Sequence, residues 1–122
     1  MGADLAYVGS PFIATPEANS SDAYKQAIVE ASAADIVNTD LFTGVHGNYL
    51  RSSIVASGLD PDALAAGNAM NFGSEGSSKS KAWRDIWGSG QGVGAVDRVV
   101  PTTELIARLA QEYAAAKSGI CG

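Results

Sequence analysis

Apolar and polar positions alternate between two periods along this chain, and the switches between them mark its elements. Leu5 to Val8 is a short continuous apolar run, as expected for a strand buried on both faces. Ser20-Ser21-Asp22 then offers oxygens to cap a helix, and Ala23, Ala27, Ile28 and Ala31 fall at helical spacing, predicting a helix over about 22–31. A second β-prone run, Asp35-Ile-Val-Asn-Thr39, leads into the glycine-punctuated loop Leu41 to Tyr49. Ile54 to Ser57 reads as a short helical or extended piece ending at Gly58.

The second half is helical in pattern. Asp60-Pro61-Asp62 combines an N-cap, a proline at the first helical position and an acid at the positive helix end. Asn68 to Ser80 is rich in Gly, Ser and Asn and reads as a mobile segment. Ser80 starts a helix in which Trp83 and Trp87 share a face, broken by Gly88 to Gly94. The last helix begins near Pro101, with Leu105, Ile106, Leu109 and Tyr113 as its buried stripe, Glu104 and Arg108 as an i,i+4 pair and Gly119 as its stop. Two short strands are marginal as an isolated pair, so the pattern calls for more sheet than the chain contains.

With 122 residues there is material for one domain, and 46% hydrophobic with 17% charged residues is ordinary for a folded protein. The net charge of −5 and scattered basic residues argue against nucleic acid. No apolar run approaches the roughly 20 residues that span a bilayer. The start has no signal-peptide pattern, and Ala6 breaks a myristoylation motif, so the expected location is cytoplasmic. Cys121, the single cysteine, excludes an intramolecular disulfide.

Candidate chemistry is sparse. Gly88 to Gly94 fails the G-x-G-x-x-G spacing, because Val93 or Ala95 stands where the third glycine belongs. Gly76-Ser-Ser-Lys79-Ser80 lacks the glycine beside the lysine of a P-loop. His46, the one histidine, has no companions for a metal site, so no metal is expected. It is either a pocket-wall residue or a hydrogen-bonded loop histidine. Trp83 and Trp87 read as core anchors or a ligand wall. Gln91, flanked by glycines, presents an amide donor and acceptor to a ligand. Gly9-Ser10, directly after the apolar run, lets main-chain N–H groups approach an anion closely.

The ordered series Gly2-Ala-Asp-Leu-Ala-Tyr-Val-Gly-Ser-Pro-Phe12, Ala14-Thr15, Glu17-Ala18, Ala23-Tyr-Lys-Gln-Ala27, Thr39 to Gly44 and Trp83 to Gly94 resembles the C-terminal part of the flavin-dependent nitronate monooxygenases, also called 2-nitropropane dioxygenases. The resemblance covers nearly the whole chain. It implies an α/β fold, the C-terminal portion of a TIM (β/α)8 barrel, helix-rich, with one barrel strand (strand 8, at 5–10) and a C-terminal helical region over 60–119. It implies FMN as cofactor, its phosphate held by Gly9 and Ser10, and oxygen-dependent oxidation of an alkyl nitronate to a carbonyl compound and nitrite. His46 and Gln91 are then substrate-pocket candidates.

Three departures stand out. Pro11 occupies a position where many relatives carry arginine, and Tyr7 one where they often carry glutamine. The family's catalytic histidine belongs to an upstream Gly- and His-rich segment absent here, so its role does not pass to His46. A whole barrel needs about 250 residues, so the expectation is a single partial domain over 1–122, inactive alone and in need of a polypeptide carrying the missing strands. Two rival expectations remain: a stand-alone helical binding module whose N-terminal strand pairs with a partner's sheet edge, and a fragment of an enoyl-thioester reductase on the same barrel.

Overall fold

The computed structural model describes residues 4–65 and 84–121. Its elements in chain order are α1 (Ser10–Ile13), α2 (Asp22–Glu30), a 3-10 turn (Ala33–Asp35), β1 (Ile36–Thr39), β2 (Gly47–Leu50), α3 (Arg51–Ala56), α4 (Pro61–Ala65), a second 3-10 turn (Gln91–Ala95) and α5 (Thr102–Cys121).

The capping signals act where the sequence puts them. Ser21 Oγ accepts from the Tyr24 N–H at 3.2 Å and opens α2, and Asp60 Oδ1 accepts from the Asp62 N–H at 2.9 Å at the start of α4. α2 turns Ile28 fully inward, with Tyr24 and Ala27 packed beside it.

β1 and β2 form an antiparallel pair in the register Ile36↔Leu50, Val37↔Tyr49, Asn38↔Asn48 and Thr39↔Gly47. Successive side chains of a strand point to opposite faces. Leu50, with Ile36 beside it, therefore joins Ala14, Ile28, Val93 and Val96 in one core, while Val37 joins Ile54, Leu64 and Ile86 in a second, with Tyr49 packed against it. Apolar matter covers both faces of the hairpin, which is how so small a sheet persists. Its outer edge is also engaged: the Leu50 N–H donates to Trp87 O at 2.8 Å and the Ser89 N–H to Asn48 O at 3.1 Å.

Several expectations need correction. Residues 5–10 form no strand: Leu5 to Gly9 pair with no strand among the described residues, Gly9 O accepts from the Phe12 N–H, Ser10 already belongs to α1, and Leu5 and Tyr7 stand 92% and 103% exposed. An apolar run becomes a strand only beside another strand, and none lies alongside it among the described residues. The last third of the Leu41–Tyr49 loop is strand, because Gly47 to Tyr49 find partners in β1. Trp87 lies outside any helix and bridges towards β2 instead. Leu105 alone of its predicted stripe is buried, Ile106 and Tyr113 being exposed. Glu104 pairs with Arg98 at 2.8 Å, whereas Arg108 pairs with Asp97 and Glu112. The helix also runs through Gly119 to Cys121. The Asn68–Ser80 segment, Trp83 and the start of its helix lie outside the described residues.

Gly47 is required sterically. A Cβ there would stand 2.8 Å from the Tyr49 hydroxyl and 3.0 Å from its ring. The Tyr49 ring also meets Phe42 edge-to-face at 5.0 Å between centroids. Gly47→Ala should displace the Tyr49 ring, changing the near-ultraviolet circular dichroism and lowering stability by about 1–3 kcal/mol, the range for overpacking. An unchanged aromatic spectrum would contradict this packing.

Glu17 ties the two ends of the fold together. Both carboxylate oxygens accept from the Thr102 N–H at the first turn of α5, at 3.1 and 3.2 Å. Its own backbone N–H and then that of Thr102 hold the carboxyl below its usual 4.5. A lowered folded pKa means the contribution is fully present above pH 4.5 and is lost as pH falls through the folded value. Glu17→Gln should therefore lower the melting temperature at pH 7 and flatten the loss of stability on acidification, read by thermal melts between pH 3 and 7. A variant whose acid limb matches the wild type would count against the cap.

Candidate functional site

The N-terminal turn is the hub around which the site is built. Pro11 fits the first turn of α1, where its missing N–H is no loss to the helix. Thr15, buried, donates its hydroxyl to Phe12 O at 2.8 Å, and the Val100 N–H donates to Ala14 O at 3.3 Å. The turn is thus held from within and from the distant end of the chain.

Ser10 joins two glycine-bearing loops far apart in sequence. Its Oγ accepts from the Gly90 N–H at 3.0 Å and from the Ser89 hydroxyl at 3.0 Å, across a separation of 80 and 79 residues. The Gly9-Ser10 and Ser89-Gly90 stretches consequently lie against each other. Gln91 opens the second 3-10 turn with its side chain exposed, and Val93, two residues on, anchors that turn in the core.

An FMN phosphate is an acceptor, and the atoms at Gly9-Ser10 are donors. The N–H groups of Gly9 and Ser10 have no acceptor among the described residues, and nothing approaches within 4 Å of a Cβ built at Gly9. The Ser10 hydroxyl accepts twice and keeps its own hydrogen for an anion. Pro11 contributes no N–H. The set fits a phosphate oxygen on one side, with neutral donors only.

His46 is not part of this junction. Its Nδ1 stands 3.0 Å from Asn38 Oδ1, and the Asn38 amide donates onward to Asn48 Oδ1 at 2.9 Å. The three side chains form a polar row on the outer surface of the hairpin. The loop bearing His46 turns on Gly44, whose φ of +79° suits glycine, and whose N–H donates to Asp40 O.

The structure adds Tyr24, which sequence spacing did not single out, as the partner of Trp87. Tyr24 stacks on Trp87 with centroids 4.9 Å apart and planes 15° from parallel, and its hydroxyl donates to Gly88 O. Burial raises the Tyr24 phenol above its ordinary value of 10. With Tyr49, Arg84 and Ser21 this pair borders a groove of about 540 Å³. Tyr24 and Trp87 are 63 positions apart, so no local pattern could have paired them. Ser89 was legible only as a serine between glycines.

Among the described residues no helix is long and apolar enough to cross a membrane, and no three metal-binding side chains gather.

The family model described as nitronate monooxygenase matches residues 1–112. A curated nitronate monooxygenase from Paraburkholderia phytofirmans is 27% identical over 121 residues, covering 92% of this chain and 32% of that protein. The solved structure of a FabK mutant from Thermotoga maritima superposes with a TM-score of 0.61 at 23% identity, covering 93% of this chain and 35% of that one. The chain spans about a third of the length of these relatives.

Proposed function

Because this chain belongs to the nitronate monooxygenase family, we propose that it is the C-terminal part of an FMN-binding (β/α)8 barrel whose whole polypeptide oxidises alkyl nitronates to carbonyl compounds and nitrite with oxygen. The observation that carries the reading is the Ser10 junction with Ser89 and Gly90. It closes two glycine loops around the unpaired N–H groups of Gly9 and Ser10. Phosphate sites formed by the loops after strands 7 and 8 are common in such barrels.

Bound FMN would supply the redox chemistry. The residues here would do the holding. The N–H groups of Gly9 and Ser10 and the Ser10 hydroxyl would donate to phosphate oxygens. Gln91, next to that junction, would offer its amide to the flavin or the nitronate. The exposed Leu5–Val8 segment would gain its ladder from neighbouring strands on a further polypeptide segment. The base that acts on the nitronate, and the rest of its binding site, would fall to that segment.

Mixing the chain with a polypeptide carrying strands 1 to 7 of a family barrel, with excess FMN, tests this. Flavin absorbance should survive desalting only in the mixture, together with nitronate-dependent oxygen consumption. Flavin retained one-to-one by this chain alone would overturn the fragment reading. A folded mixture that stays colourless would overturn the FMN site.

A further inference from the structure

We propose that the outer part of α5 pairs with α5 of a second copy of this chain as a parallel two-stranded coiled coil. This contact is separate from the flavin reading and stands or falls without it. Twenty residues give α5 a length of about 30 Å. The body of the protein covers only its first turns. Leu105 is buried and Arg108 and Leu109 are half-buried, while 110–120 is exposed throughout.

The uncovered surface is patterned. Ile106, Tyr113 and Ile120 recur every seven residues and are 54%, 70% and 86% exposed. Leu109 and Ala116 fall three residues after the first two of them. A strict seven-residue spacing keeps one seam facing a partner helix, and these five residues occupy the a and d positions of that seam.

The charges flanking the seam select the partner and its direction. With Ile106 at position a, Glu112 is at g and Lys117 at the following e. In a parallel, in-register pair each g faces the e five residues further along the other helix. Glu112 of one copy would therefore meet Lys117 of the other, twice over by symmetry. An antiparallel pair would set g against g and e against e, placing like charges together. Lys117 makes no ion pair among the described residues, and Glu112 is steadied from behind by Arg108 at 3.7 Å.

Sedimentation equilibrium of the full chain from micromolar to millimolar concentration tests the pairing, with circular dichroism confirming that each variant stays folded. The wild type should show a monomer–dimer equilibrium, and Tyr113→Asp should be monomeric throughout. Lys117→Glu should weaken association roughly tenfold, the equivalent of about 1.4 kcal/mol. The combined Glu112→Lys and Lys117→Glu variant should recover it. A wild type monomeric at every concentration would overturn the proposal, as would dimerisation indifferent to Tyr113→Asp. A charge-swapped variant as weak as the single one would overturn the parallel arrangement.

Discussion

Ser10→Ala is expected to destabilise the chain by about 1–3 kcal/mol, because it strands the Gly90 N–H, which has no other acceptor in place. The hydroxyl of buried Ser89 loses its 3.0 Å bond in the same substitution and keeps only the longer one to Gly90 O at 3.4 Å. Ser89→Ala should cost less, since Gly90 keeps its bond to Ser10. Urea unfolding of the two variants measures the difference. The same substitution bears on flavin in the reconstituted barrel, where losing the hydroxyl and loosening the loop should both weaken FMN retention. Equal stability of Ser10→Ala and the wild type would remove the junction from any role in holding the two loops.

Leu50→Ala should have a larger effect still, about 2–5 kcal/mol. Leu50 is fully buried, and its side chain fills the core shared by Ala14, Ile28, Val93 and Val96. Its N–H also donates to Trp87 O, so collapse of the cavity would disturb the hairpin edge as well. Val55, more than half exposed on α3, is the matched control and should change stability by within about 0.5 kcal/mol. Thermal or urea unfolding of both settles whether the hairpin is the structural centre. A Leu50→Ala variant as stable as Val55→Ala would show that it is not.

Much of the local chemistry, in which a residue acts on its neighbours, was legible in the sequence. Ser21 caps α2, Asp60 and Pro61 open α4, and the β-prone run before Thr39 is β1. Two local expectations failed, the Glu104–Arg108 pair and the stop at Gly119, and the other failures depended on partners distant along the chain. Gly47 and Asn48 look like loop residues, and only pairing with Thr39 and Asn38 makes them a strand. Trp87 has helical spacing to Trp83, yet stacking on Tyr24 draws it towards the hairpin. Apolar residues on α5 read as one buried stripe, and only the fold shows that Leu105 alone of them is fully buried.

The site divides the same way. Gly9, Ser10 and Gln91 are chemically suited to a ligand by type, and the structure brings their loops together. That Ser10 is also the clasp between those loops required the fold to be seen. His46 was conspicuous for being the single histidine, but its partner is Asn38 on the adjoining strand, away from the junction.

The clasps at Ser10 and Glu17 also set a timetable. They bind the first eighteen residues to positions 80 and 85 residues later, so α1 remains unsupported until most of the chain has been made. At about 5–20 residues per second, a translating ribosome leaves that segment waiting for roughly 4–17 s. During that interval Ala14 and Thr15, buried once the fold is complete, lie open to any apolar surface nearby. Contacts of such long separation also place the chain among slower folders. The interval before residues 90 and 102 emerge is therefore when this stretch has most need of a chaperone.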